Sequence, residues 1–317
     1  MRADPSPTER VAAGSLPLGP AFGALVVPTF CLIVLGALVR AHEAGLACPD
    51  WPLCFGELVP QMDVRVAFEW SHRALAGSVA IAFAVLSALA LRRPTTPPAA
   101  RRLIAVAAVL LVAQILLGAL TVWKLLAAWT VTSHLVVGNA FDLALLCIAL
   151  TLRDHERART VRTSASAGIR GWLAVAAILL FVQVVLGGLV SSRFAGLSCP
   201  DWPACNGGSW FPSWHGPVGL HLLHRWNAVL LVAAVIGAGF VAQREPRLRG
   251  LAALGAVLVV VQLLVGIANV LLAIPVEVTG LHSALAAALV LCIGAAARAA
   301  WQGPGGAPAG SPRIFER

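Results

Sequence analysis

Stretches of about 20 residues that are apolar on every side, parted by short polar breaks, recur eight times along the 317-residue chain. That length suits a helix crossing the hydrocarbon of a bilayer, and a helix apolar all round needs an apolar surrounding. The pattern predicts membrane helices at about 21 to 40, 70 to 91, 103 to 123, 130 to 152, 171 to 191, 218 to 242, 251 to 273 and 279 to 300. The segment before Ala21 carries no apolar core with a small-residue cleavage site, so no removable signal peptide is expected.

Two of the polar breaks use nearly the same words. Cys48-Pro49-Asp50-Trp51-Pro52-Leu53-Cys54 returns as Cys199-Pro200-Asp201-Trp202-Pro203-Ala204-Cys205, an offset of 199 − 48 = 151. Leu35 to Val39 matches Leu186 to Val190 at the same offset, and His72-Arg73 matches His224-Arg225 at 152. Gln114, Gly118 and His134 match Gln262, Gly266 and His282 at 148. The chain therefore reads as two homologous halves. Each half holds an even number of spans, so both enter the membrane in the same sense. The expected architecture is all-α: two four-helix bundles related by a pseudo-twofold along the membrane normal. The divisions are a lead 1–20, a first half 21–152, a linker 153–170, a second half 171–300 and a tail 301–317, with proline and glycine pointing to a disordered tail.

Composition supports the membrane reading, since 59% of residues are hydrophobic and only 12% charged, against about 25% charged in soluble domains. The net charge of +9 does not point to nucleic acid, because of where it lies. Arginines crowd the segments after even-numbered helices (Arg92, Arg93, Arg101, Arg102; Arg153 to Arg170; Arg244, Arg247, Arg249) and both termini. By the positive-inside rule the termini are cytoplasmic and the cysteine loops extracytoplasmic. On that oxidising side Cys48 with Cys54 and Cys199 with Cys205 would form disulfides; unpaired or metal-binding thiols are the alternative.

Four histidines then stand at repeated positions. His72, His134, His224 and His282 each open an even-numbered helix, and an ionisable side chain inside a membrane is a functional candidate because burying it is costly. Two imidazoles from two helices of one bundle suit six-coordinate haem iron. Zinc competes, but each pair lacks a third ligand common to both halves: Glu69 precedes His72 by three residues where His221 precedes His224. Gly118, Gly138 and Gly266 could let a flat ring approach the backbone or could serve plain helix packing. Arg73 and Arg225 could pair with haem propionates or snorkel to the surface. The halves differ: Glu69, Asn139 and Asp142 make the first more polar, where the second has His221, Ala287 and Val290.

The Glu69-x-x-His72-Arg73 motif, His134, His224-Arg225, His282 and the paired cysteines, spread over nearly the whole chain, resemble the haem A synthase family. The resemblance implies oxidation of a porphyrin methyl group of haem O to a formyl group by successive hydroxylations, giving haem A for cytochrome oxidase. It implies His72 and His134 as axial ligands of the substrate haem, His224 and His282 as those of a haem B cofactor, and Glu69 as a catalytic group that stabilises charge or handles protons. It also implies haem O synthase, assembly factors of cytochrome oxidase and an unidentified electron donor as partners. Two rivals stand beside it: a diheme b-type electron carrier linked to quinol, and a proton or metal transporter.

Overall fold

The computed structural model describes residues 16–157 and 164–301. The lead before residue 16, linker residues 158–163 and the tail after residue 301 lie outside the described residues. Eight helices follow one another: α1 Leu18–Ala41, α2 Val64–Arg92, α3 Pro98–Trp123, α4 Ala128–Glu156, α5 Ala167–Ser192, α6 Gly216–Ala242, α7 Pro246–Leu271 and α8 Val276–Trp301. All eight are long and apolar enough to cross a membrane.

Most helices begin several residues before the apolar stretch that announces them. Asp63 caps α2, its carboxylate accepting the Val66 N–H at 2.9 Å, so Arg65 and Glu69 are helical although they are charged. Helices α3, α6 and α7 carry proline in their first turn, where its missing N–H costs nothing. One consequence corrects the expectation from sequence. The histidines do not open their helices: His72 and His224 are ninth in α2 and α6, and His134 and His282 are seventh in α4 and α8.

The ends of α1, α3, α5 and α7 are built alike. The Ala44 N–H returns to the Val39 carbonyl at 2.9 Å, Leu126 to Thr121 at 2.8 Å, Ala195 to Val190 at 2.9 Å and Ile274 to Asn269 at 2.7 Å. In each turn a residue with positive φ ends the helix: Glu43, Leu125, Phe194 and Ala273. This six-to-one bond satisfies carbonyls that a helix end would leave open. The structural unit is thus a hairpin of two helices, used four times.

Within each half, two hairpins form a ring of four helices, but the rings differ. In the second, α5 packs on α6, α6 on α7, α7 on α8 and α8 on α5. In the first, α1 packs on α2, α3 on α4 and α4 on α1, while α2 meets α3 at few points. The halves join through α1 against α8 and through α4 against α5 and α8. At that seam Arg298 donates to Asp154 at 3.0 Å and to Thr151 at 3.1 Å. A Cβ on Gly294 would lie 2.2 Å from Leu143 Cδ1.

Gly294→Val should therefore overpack the α4–α8 seam and cost about 1–3 kcal/mol, read as a lower unfolding temperature in detergent. Gly250→Ala, where an added Cβ meets nothing within 4 Å, is the control and should leave the transition in place.

Candidate functional site

Each of the four histidines lies against a glycine of its hairpin partner. A Cβ on Gly36 would stand 3.1 Å from His72 Cε1, one on Gly118 3.1 Å from His134, one on Gly187 3.2 Å from His224 and one on Gly266 2.9 Å from His282. Gly118 and Gly266 thus receive imidazole rings, and Gly138 receives the Gln114 amide, 2.9 Å from its would-be Cβ. Helices α2 and α4 occupy opposite corners of the first ring, as do α6 and α8 in the second, and neither pair packs together. Even so, His72 and His134 are near enough for charge on one to act on the other, as are His224 and His282. Two imidazoles therefore face each bundle interior from opposite sides.

The polar groups inside these bundles are only partly satisfied. Nδ1 of His72, His134 and His282, Oε1 of Gln114 and Gln262, and both carboxylate oxygens of Asp142 are buried without a hydrogen-bond partner. Buried groups of this kind are rare and point to something absent from the protein itself. Two opposed imidazoles across unpacked helices fit a flat group with a metal at its centre. Among the described residues there is no cluster of three His, Cys, Asp or Glu side chains that could hold a metal ion.

At the end of the bundles next to the histidines, the two cysteine loops fold alike. Cys48 is disulfide-bonded to Cys54 and Cys199 to Cys205, and all four are buried. Phe55-Gly56 and Gly207-Gly208 turn each loop back with positive φ at both residues, the geometry of a two-residue hairpin turn. Asp50 organises the first loop by accepting the Phe55 and Gly56 N–H groups at 2.6 and 2.8 Å, and Asp201 accepts Gly207 N–H at 2.7 Å. The Gly56 bond, ahead of that from Phe55, holds the Asp50 carboxyl below its usual value. A depressed carboxyl contributes order that is present above the unfolded value and lost as pH falls through the folded one, so this turn is closed at neutral pH.

Arg73 and Arg225 are committed to these loops. Arg73 Nη1 donates to the Asp50 and Leu53 carbonyls, both at 2.6 Å, and Nη2 to Cys48 O at 3.2 Å and Glu69 at 2.5 Å. Arg225 repeats the pattern on Asp201, Ala204 and Cys199 at 2.9, 3.1 and 2.5 Å. Glu69 also accepts the Cys48 N–H at 2.8 Å; its counterpart His221 places Nδ1 3.0 Å from the Ala195 carbonyl. The helix turns that carry His72 and His224 are thereby tied to the two disulfide loops. Sequence reasoning did not reach the loop roles of Asp50 and Asp201 or the part of Gln183, whose amide lies 3.2 Å from His224 Nδ1. The Gln-x-x-x-Gly spacing in α3, α5 and α7 was the available signal.

A sequence model of cytochrome oxidase assembly proteins, the COX15-CtaA family, matches residues 22–293. The chain belongs to that family. Among similar proteins, a heme A synthase of Shewanella oneidensis is 28% identical over 310 residues, covering 84% of this chain and 92% of that one. One of Symbiobacterium thermophilum is 36% identical over 227 residues, covering 67% and 71%. Another, of Caulobacter sp. strain K31, is 29% identical over 314 residues, covering 84% and 91%. Family membership carries haem binding with it, and eight apolar helices make this member a multi-pass membrane protein.

Glu69→Gln removes the charge that binds both Arg73 and the Cys48 N–H. Losing a charge-assisted hydrogen bond costs about 1.5 kcal/mol or more, so Cys48–Cys54 should be reduced and alkylated about 10-fold faster by a mild thiol. Cys199–Cys205 in the same molecule is the internal reference, and mass spectrometry of alkylated peptides reads both. Equal rates for the two disulfides in the variant and the native protein would show that Glu69 does not hold the loop.

Proposed function

We propose that this chain is a haem A synthase, oxidising a methyl group of haem O to a formyl group by successive hydroxylations. The observation that carries the proposal is the pair of opposed imidazoles in each bundle, flanked by unpartnered buried polar atoms, in a chain of this family. In this reading His72 and His134 ligate the substrate haem in the first half, and His224 and His282 ligate haem B in the second. The haem iron, when bound, supplies the redox chemistry.

The protein's own residues orient and enclose. The glycine beside each ring fixes how far the imidazole stands from its neighbouring helix, and the cysteine loops cover the histidine end of each bundle and limit water there. Glu69 acts beside the substrate haem through the loop it holds and through its charge. Arg73 and Arg225 hold those loops through loop carbonyls; Arg73 retains its Nε–H, and Arg225 its Nε–H and one Nη2 N–H, for a propionate. The two halves, 21–152 and 171–300, are related by a pseudo-twofold along the membrane normal, with cytoplasmic termini and linker and extracytoplasmic loops. Haem O synthase and the assembly machinery of cytochrome oxidase are the expected neighbours.

The test is expression in cells that make haem O, followed by chromatography of extracted haems. His224→Ala or His282→Ala should remove most tightly bound haem B from an otherwise inserted protein. Gly266→Ala should lower haem content too, since its methyl would fall 2.9 Å from the His282 ring. Haem A should appear with the native chain and not with His72→Ala or His134→Ala. Bound haem with no haem A under any condition would favour the diheme electron carrier instead.

A further inference from the structure

Away from the histidines, the two bundles are filled differently. In the first, Phe22, Phe83 and Phe141 meet edge to face at 6.4 and 5.4 Å, and buried apolar residues between Leu18 and Leu152 form one continuous core. In the second, the core falls into separate clusters. Leu173, Ala238 and Ala296 belong to one and Ala176, Val235 and Ile293 to another, although Val235 and Ala238 are neighbours one turn apart on α6.

A cavity lies at that break. All four helices α5 to α8 bound it, through residues that include Leu173, Val235, Ala252, Gly255 and Ala296. The internal repeat shows how it arises. At the offsets of 151 for α5, 152 for α6 and 148 for α7 and α8, these five positions are Phe22, Phe83, Ile104, Ala107 and Ile148 in the first half. Each is larger than its counterpart, and Leu248 in place of Ala100 recovers only part of that volume. Gly255 shows the spare room directly, since an added Cβ would rest 3.7 Å from both Cys292 Sγ and Val235 Cγ1, an ordinary contact. Protein interiors are normally packed as densely as organic crystals, and a gap in a core costs stability in proportion to its size. Whatever fills this one regains the dispersion contacts that its walls forfeit.

The lining decides what can enter. The centre of a water-sized sphere has about 20 Å³ to move in, room for one small body and little more. A buried water needs two to four polar partners. The lining side chains are hydrocarbon except for Cys292, whose thiol donates to the Leu251 carbonyl at 3.3 Å, so water has nothing to bind. The cavity also lies apart from the histidines: Val235 and Ile293 stand eleven residues beyond His224 and His282, about 16 Å along their helices.

We propose that the second bundle holds a binding site for one small apolar molecule, of one or two heavy atoms, at the break in its core. Nonpolar gases dissolved in lipid are the class of ligand that fits. The first bundle, filled by its aromatic rings and isoleucines, has no such site. Neither statement depends on what the histidines hold.

Xenon, a single apolar atom that enters dry cavities, is the probe. Crystals of the full-length protein pressurised with xenon should show one anomalous peak between Leu173, Val235, Ala252 and Ala296, and none among Phe22, Phe83, Ile104 and Ile148. Ala252→Ile places the first half's residue in the cavity and should abolish the peak; Ala296→Ile does the same from another helix, should the first variant not fold. In detergent solution, xenon should raise the unfolding temperature of the native protein more than that of Ala252→Ile, because a ligand stabilises only the state that binds it. Native crystals without the peak, or a peak that survives in both variants, overturn the proposal. An equal peak in the first bundle overturns the contrast between halves. Density for an ordered water, or for a lipid chain running out between the helices, overturns the class of ligand.

Discussion

In the hydrocarbon of a membrane there is no water to satisfy an imidazole, and this constraint shapes the whole protein. Each of four such rings is carried about two turns into a helix, where its partners must come from the neighbouring helix. The hairpin answers that need: a glycine lets the ring approach the adjacent backbone, and in three hairpins of four a glutamine one turn away reaches a ring nitrogen. Ring closure of the bundle, the tied disulfide loops and the seam between halves all keep these hairpins in register.

The number of the helices was legible because a bilayer crossing demands a long uninterrupted apolar run, which few other structures require. Their starts were not, because residues such as Arg65 and Glu69 are helical through a cap and through loop contacts. The histidine pairs and cysteine pairs were visible through the internal repeat. What the guanidiniums do was hidden, since Arg73 reaches main-chain carbonyls 20 to 25 residues away, and a carbonyl leaves no mark in a sequence. The hairpin as a unit repeated four times was also missed. Its signal is a glutamine four residues before a glycine in an otherwise apolar helix, and α1 has Leu32 in the glutamine's place.

The same loops in the two halves are tied by different chemistry. Arg73 and Arg225 grip equivalent carbonyls, but beneath them Glu69 supplies a charge in the first half where the second has an imidazole on the Ala195 carbonyl. A carboxylate beside one bundle and an imidazole beside the other make the histidine ends of the two halves unlike, and Asn139 and Asp142 in the first half, against Ala287 and Val290 in the second, add to the difference.

The two rings of helices also differ in how they close. Parting two helices costs free energy in proportion to the apolar surface they share, and segments with few such contacts open first. The second bundle shares surface at all four of its seams, whereas the first has little between α2 and α3. The first half is accordingly a clasp and the second a collar: α2 and α3 part at small cost, while α5, α6, α7 and α8 hold one another at every seam.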